Sequence, residues 1–402
     1  MGERRENPLE NLAELTIPLL LPTVRGQPAR PQKMENAQTV VNQDLEYICH
    51  KLEKEFAALP GKNILITGGG GFLGYYLIQS LLRWNRTAGG QGVQVTVYDN
   101  YVRGLPQWLS SLSGNPNLRL VKHDITGPLP EDIDDFHYII HAASIASPMY
   151  YRKYPIETMD ANVNGLRTLL EYCCRQKESD RPVEGFLFYS TSEIYGDPTP
   201  ENIPTPETYR GNVSCTGPRA CYDESKRYGE TLCVNFARQH DLPIHIARPF
   251  NNYGPGLKIT DRRVIPDFVR DILDGRDIVM HSDGSPTRTF CYIADAIVGY
   301  FKILIRGHRG EAYNIGVESP EISIADFAGK LVATAGELFG YQGKVVKKAS
   351  SDADYLVDNP NRRCPLIGKA REELGYDPSI SLEEGIRRSL IWYRDNREAE
   401  EA

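Results

Sequence analysis

The chain of 402 residues lacks several features that would assign it quickly. It contains no run of 18 apolar residues, so no segment is suited to cross a membrane as a helix. Its start, Met1-Gly-Glu-Arg-Arg-Glu, has no adjacent apolar core, and neither export nor anchoring is expected. The eight cysteines (49, 173, 174, 215, 221, 233, 291, 364) include no Cys-x-x-Cys and no metal-ligand spacing. That argues against a zinc site or a disulfide framework, and reduced thiols in a cytoplasmic protein with no bound metal are expected. There is no basic excess: 46 Lys and Arg stand against 53 Asp and Glu, for a net charge of −7. Bulk electrostatics therefore give no reason to expect a nucleic acid or membrane partner. No internal repeat is visible, which excludes a solenoid. What remains is enough chain for a large core and two lobes.

The strongest positive signal is a glycine-rich turn. Asn63-Ile-Leu-Ile-Thr67 is a short apolar run suited to a buried parallel strand, followed at once by Gly68-Gly-Gly-Gly71-Phe72-Leu73-Gly74 and a helical pattern from Leu77 to Trp84. Gly68, Gly71 and Gly74 give the spacing Gly-x-x-Gly-x-x-Gly. The first glycine allows a tight turn, the second a close approach to a pyrophosphate, and the third close packing of helix on strand. Phe72 and Leu73 fall within this cofactor-binding turn. A second strand, Val93 to Tyr98, ends in Asp99, placed to accept hydrogen bonds from ribose hydroxyls and to repel a 2′-phosphate. NAD is therefore expected rather than NADP, with Arg103 the one contrary hint. Asn100 follows Asp99. The strand Leu118 to His123 leads to Asp124-Ile125, a candidate adenine contact, and Tyr138 to Ala142 leads to the Ala142-Ala143-Ser144 loop.

Two further strands lead to Ser190-Thr191-Ser192-Glu193 and to Arg248-Pro-Phe-Asn251. Strands alternating with helical stretches at 156–176 and 222–240 predict an α/β fold, a doubly wound parallel (Rossmann-type) sheet with a smaller C-terminal substrate-binding lobe. Ligands bind beyond the carboxyl ends of the strands in such sheets, where these polar clusters fall. The expected organisation is an N-terminal arm over 1–60, an NAD-binding domain over 61–250, and a lobe built mainly from 251–402, some of whose segments return to the sheet. Within the arm, prolines surround Leu19-Leu20-Leu21, and 44–58 reads as an amphipathic helix with Leu45, Ile48, Leu52 and Phe56 on one side. Past 250, helices are expected at 263–275, 295–306 and 323–338, with short strands near 278–281 and 311–315.

The chemical signal is Tyr222-Asp-Glu-Ser-Lys226. One helical turn separates phenol and ammonium, so they share a face. A nearby cation favours the phenolate, and a tyrosine so tuned can act as base toward a hydroxyl.

With the glycine turn, Ser190-Thr-Ser-Glu-Ile-Tyr-Gly196 and Tyr222-x-x-x-Lys226 in this order, the chain resembles the extended short-chain dehydrogenase/reductases acting on nucleotide sugars, over about 62–394. Within them it is most similar to the UDP-glucuronate decarboxylases, the UDP-xylose synthases. The run Gly217-Pro-Arg-Ala-Cys-Tyr-Asp-Glu-Ser-Lys-Arg227, the triplet Thr191-Ser192-Glu193, the segment Ser285-Pro-Thr-Arg288-Thr-Phe290 and the closing Lys369-Ala-Arg-Glu-Glu-Leu-Gly-Tyr-Asp-Pro378 carry that likeness. Three positions depart from it: Arg210 where a tryptophan is usual, His281 for a tyrosine, and Leu366 for an aspartate.

The resemblance implies redox-neutral chemistry with NAD kept bound. Tyr222 and Lys226 act on the sugar C4 and also touch the cofactor. Thr191 binds the C4 oxygen, with Ser192 on the same loop. Glu193, with a raised pKa, supplies the proton that replaces the carboxylate, and Arg288 recognises the carboxylate. Tyr151 adds a hydroxyl, Asn162 orders a water beside Lys226, and Asn251, Arg263 and His281 bind the nucleotide part of the nucleotide-sugar substrate. A homodimer through helices near 156–176 and 222–240 is also implied. A 4-epimerase, a 4,6-dehydratase, a decarboxylase with a 4-keto or ring-contracted product, and a non-catalytic NAD-sensing protein are the competing readings.

Overall fold

Seven short apolar runs form one parallel sheet: β1 (Asn63–Thr67), β2 (Gln94–Asp99), β3 (Leu118–Lys122), β4 (Tyr138–His141), β5 (Gly185–Tyr189), β6 (Ile244–Pro249) and β7 (Ala312–Ile315). The computed structural model describes residues 1–2, 35–87, 91–348 and 357–401. The strand order is β7-β6-β5-β4-β1-β2-β3. It reverses between β1 and β4, whose register pairs Ile64 with Tyr138 and Thr67 with His141. A crevice opens beyond the strand ends at such a reversal.

Alternation sends successive side chains to opposite faces, and both faces are covered. Ile64, Ile66, Val95, Val97 and Ile140 belong to one buried cluster, and Leu65, Ile139, Phe186, Phe188 and Ile246 to the other. The first face is covered by α1 (Ala37–Lys51), α2 (Phe72–Thr87) and, later in the chain, a long apolar helix and the C-terminal helix. The second is covered by α3 (Leu166–Glu178) and α4 (Ala220–His240) through Leu166, Leu169, Leu170 and Leu232. The remaining long helices are α5 (Val264–Leu273), α6 (Ile293–Arg306), α7 (Ile324–Phe339) and α8 (Leu382–Glu401).

The stretch expected to be helical over 156–176 is not continuous. One turn of π-helix, Ala161–Gly165, interrupts it and carries the buried Asn162. Such wide turns concentrate at functional positions. The run near 311–315 is β7, the outer strand of the main sheet beside β6. Short strands from the C-terminal segments lie elsewhere: Ile322–Ser323, Thr287–Arg288 and Arg362–Arg363 form a small sheet in that order. Its parallel register sets Arg363 beside Arg288.

Of the expected arm, the prolines and Leu19-Leu20-Leu21 lie outside the described residues. The helix starts earlier than its apolar periodicity indicated, at Ala37. There the Asn36 side chain caps it by accepting from the Thr39 amide at 2.9 Å. It ends at Lys51, with Leu52 as its cap, and is followed by the short helical turn Glu53–Phe56. α1 packs on α2, α6 and α8, and the residues from 35 onward form one compact unit. A fully buried carboxylate anchors it. Asp44 accepts hydrogen bonds from the hydroxyls of Tyr76 and Tyr292 and from Arg388 Nη1, the last two at 2.6 Å. Burial pushes its pKa up, and these donors offset that only in part. Arg388→Ala removes the only cation bonded to it among the described residues, and is expected to cost about 3 kcal/mol of stability. A lower midpoint of urea unfolding reads this out; an unchanged midpoint would show that the pair contributes nothing.

Candidate active site

The glycine turn closes β1 onto α2. Gly68 has φ +71° and hydrogen-bonds Tyr98 O at 2.7 Å, and a Cβ there would fall 2.5 Å from Ala143 Cα. A Cβ on Gly74 would fall 2.0 Å from the Gly69 carbonyl oxygen, so helix and turn touch directly. At Gly71 it would meet only the Gly68 oxygen, at 3.2 Å. The α2 N-terminus is thus open to a pyrophosphate, as anion binding at a helix start requires. Ala142 continues β4 into this crevice with its amide on the Thr67 oxygen at 3.1 Å.

At the tip of β2, Asp99 Oδ2 accepts from the Gly70 amide at 2.9 Å and Oδ1 from the Tyr101 amide at 2.8 Å. Each oxygen keeps a lone pair for a further donor. Asn100 bonds Asp124 Oδ2 at 3.1 Å, and Ile125 is buried beside Gly165. Phe72 and Leu73 are half-buried at the start of α2. Arg103, which hinted at a 2′-phosphate, pairs instead with Asp261 at 3.2 Å and lies over the Tyr150 ring. The residues therefore fit NAD.

Tyr222 sits in the first turn of α4, 7% exposed, with its ring stacked on Tyr151 at 5.0 Å and 10°. Thr191, beyond β5, is close enough to favour the ionised phenol by hydrogen bonding. Lys226 Nζ lies 5.8 Å from the Tyr222 ring centre and donates to the Tyr189 carbonyl at 2.8 Å. Phenol and ammonium share a face, but the expected tuning needs correction. Burial, followed by the Glu193 charge, pushes Tyr222 up to about 12, and burial pulls Lys226 down to about 7. Desolvation disfavours the charged form of both groups, and at Tyr222 it outweighs the Thr191 hydrogen bond and the Arg263 charge.

Asn162 is buried, and both of its side-chain polar atoms are bonded to hydroxyls. Its Oδ1 accepts from Ser144 Oγ at 2.7 Å, and its Nδ2 donates to Ser225 Oγ at 2.9 Å. Ser225 in turn donates to the Tyr222 carbonyl at 3.0 Å. The amide thus braces the tyrosine turn directly through hydroxyls.

Glu193 lies in the short helical turn Ser192–Tyr195, whose Thr191 cap accepts from the Glu193 amide at 3.2 Å, and Ser192 beside it is buried. Its carboxylate is held by both Nη atoms of Arg363, the first at 2.8 Å, and by Arg219. The expected raised pKa is overturned: although burial would raise it, Arg219 and Arg363 hold Glu193 down at about 2. The two guanidiniums thus favour its ionised form.

Arg288, 6% exposed, bonds the carbonyls of Thr287, Pro360 and Asn361 and the Asn359 side chain. Among the described residues no carboxylate lies within ion-pair distance of it. Burial and then the neighbouring Arg363 push its pKa down. The Asn251 amide bonds the Thr289 carbonyl at 2.9 Å. Arg263 pairs with Asp261 and lies 6.0 Å from the Phe72 ring centre, bridging the glycine turn and the tyrosine. His281 follows the strand Ile278–Met280, with Nδ1 3.3 Å from the Lys348 oxygen.

Sequence reasoning missed Arg219, Asp223 and Arg363. The i, i+4 spacing of Arg219 and Asp223 at the head of α4 was available. Arg363 was not, because only the register of the small sheet brings it beside Arg288.

Residues 64–316 match the NAD dependent epimerase/dehydratase family. The chain belongs to that family. It is similar to UDP-glucuronic acid decarboxylase 3 of Arabidopsis thaliana, 36% identical over 81% of this chain and 87% of the relative. It is also similar to UDP-glucuronic acid decarboxylase 1 of Xenopus tropicalis, 34% identical over 91% and 83%. Among solved structures it resembles an epimerase from Methanothermobacter thermautotrophicus, with TM-score 0.73 and 28% identity over 88% of this chain and 98% of that one. The DesIV dTDP-glucose 4,6-dehydratase of Streptomyces venezuelae, solved with NAD, gives TM-score 0.71 and 27% identity over 84% and 98%.

Replacing Asp99 by Ala removes the acceptor at the end of β2. Lost charge-assisted hydrogen bonds predict roughly 10- to 100-fold weaker NAD binding, together with a smaller preference for NAD over NADP. Titrating both dinucleotides checks this, and an unchanged preference ratio would reassign Asp99 to shaping the turn alone.

Proposed function

We propose that this protein decarboxylates UDP-glucuronate to UDP-xylose through a 4-keto intermediate, with its NAD recycled rather than released. The observation that carries the reading is a shortage of negative charge. Three buried guanidiniums, Arg219, Arg288 and Arg363, gather around Glu193 close to Tyr222, and among the described residues Arg288 is bonded only to neutral acceptors. Buried cations need a partner, and a uronate carboxylate is the anion that fits.

The chemistry follows from the side chains. Tyr222 takes the proton of the C4 hydroxyl while Thr191 hydrogen-bonds the same oxygen. The glycine turn and Asp99 would hold NAD, which would supply the hydride acceptor for C4 and the hydride that is later returned. The 4-keto uronate is a β-keto acid: the bond from C5 to its carboxyl breaks, CO2 leaves, and the electron pair becomes a C4–C5 enolate. A proton then replaces the carboxyl at C5. Reduction at C4 takes the hydride back, and Tyr222 returns its proton. The balance is UDP-glucuronate plus one proton giving UDP-xylose and CO2. Glu193, kept ionised, fixes the two arginines that clamp it.

The decisive assay supplies carboxyl-labelled UDP-glucuronate and follows labelled CO2 and the product sugar. Tyr222→Phe is expected to lose at least about 100-fold in rate, the usual weight of general acid–base catalysis, with NAD still bound. Epimerised UDP-sugar without CO2 would sink the decarboxylase reading.

We also propose a homodimer, supported by Tyr154, Ile156 and Tyr228, exposed by 40%, 60% and 48% around Pro155–Asp160 and α4. Sedimentation should give twice the 45.2 kDa chain mass, and Ile156→Asp should shift the protein toward monomer. A wild-type monomer at micromolar concentration would refute it.

A further inference from the structure

The two carboxyls of the arginine cluster are treated unequally. Glu193 takes the direct bonds of Arg219 and Arg363. Asp223, one residue after the tyrosine, is 4% exposed. Its Oδ1 has no hydrogen-bond partner among the described residues, and its Oδ2 lies 3.9 Å from Arg219 Nε, beyond hydrogen-bond range. That Nε, the Nε of Arg363 and the Tyr151 hydroxyl are likewise buried without partners.

Asp223 faces Glu193, Arg219, Arg363 and Asp358, with the phenols of Tyr222 and Tyr151 and the Cys221 thiol close by. An unbonded, buried carboxyl beside a fixed carboxylate favours its neutral form. Burial first, and then the Glu193 charge, push Asp223 up to about 8 against the pull of Arg219 and Arg363.

We propose that Asp223 determines the site's selectivity for an acidic sugar: with its proton on, it leaves the charge of Arg219, Arg288 and Arg363 to the substrate carboxylate, and ionised it competes for that charge and weakens binding. This rests on the functional reading above and adds to it a pH-dependent gate on substrate choice. The sign follows from linkage. The complex holds a proton that the free protein loses as pH rises past the Asp223 pKa, so affinity is level below that point and falls above it. A ligand without the carboxylate does not compete with Asp223, and its affinity stays level. Titration of Lys226 or Tyr222, which serve the cofactor and C4, would affect both ligands alike.

The test measures dissociation constants of UDP-glucuronate and of UDP-xylose on the NAD-loaded protein. Between about pH 6.5 and about pH 9.5, UDP-glucuronate should weaken by up to about 10-fold per unit above pH ~8 while UDP-xylose does not. Asp223→Asn, uncharged throughout, should give a level UDP-glucuronate profile relative to its own neutral-pH value. Asp223→Ser carries the same expectation should the amide variant not fold. Asp223→Glu should restore the alkaline fall. A level wild-type profile with measurable UDP-glucuronate binding overturns the gate alone, as does a fall that persists in Asp223→Asn. No UDP-glucuronate binding at any pH overturns the functional reading and the gate with it.

Discussion

The structure depends on compensating charge that has been taken out of water. Glu193 meets this demand at the centre of the molecule. Its carboxylate joins the loop after β5, the head of α4 through Arg219, and the C-terminal segment through Arg363. An uncompensated buried charge costs several kcal/mol, so these parts, remote in sequence, are held in one arrangement. The same logic recurs where Asp44 ties α1 to Arg388 and the phenols of Tyr76 and Tyr292. One ion cluster organises the chemical end of the crevice, and the other pair fixes an N-terminal helix against the helices that cover the opposite face of the sheet.

Desolvation at the chemical end acts on every group there, with different outcomes. It lowers Lys226, raises Tyr222 and lowers the buried His141 to about 3. Glu193 escapes because two guanidiniums are bonded to it, and Asp223 does not because, among the described residues, none comes within hydrogen-bond range of it. A closed pocket of this kind leaves its base neutral until positive charge arrives, and it holds arginine charge ready for an anion. Both properties suit a reaction in which a hydroxyl must lose a proton and an acid group must be held and then shed.

Local signals carried much of this. The glycine spacing announced both the tight turn at Gly68 and the open approach at Gly71, because each depends on the backbone of its own segment. The apolar runs specified buried strands, since a sheet covered on both faces needs uninterrupted hydrophobicity. The placement of Tyr222 and Lys226 on one face followed from helical period alone. The π-turn at Ala161–Gly165 and the assignment of β7 to the main sheet did not, because they express packing between elements rather than preferences within them.

The chain by itself determined the element order, the nucleotide turn with Asp99, and the residue types available for proton transfer, because these rest on short-range geometry and composition. Tertiary structure alone decided which charges meet. Register set Arg363 beside Arg288, and folding placed Arg363 and Arg219 together on Glu193. Two guanidiniums then reversed the expected titration of Glu193, and burial raised Tyr222 and lowered Lys226. Those outcomes depend on distances of a few ångströms between segments up to 170 residues apart and on how much water is excluded, quantities that no local pattern encodes.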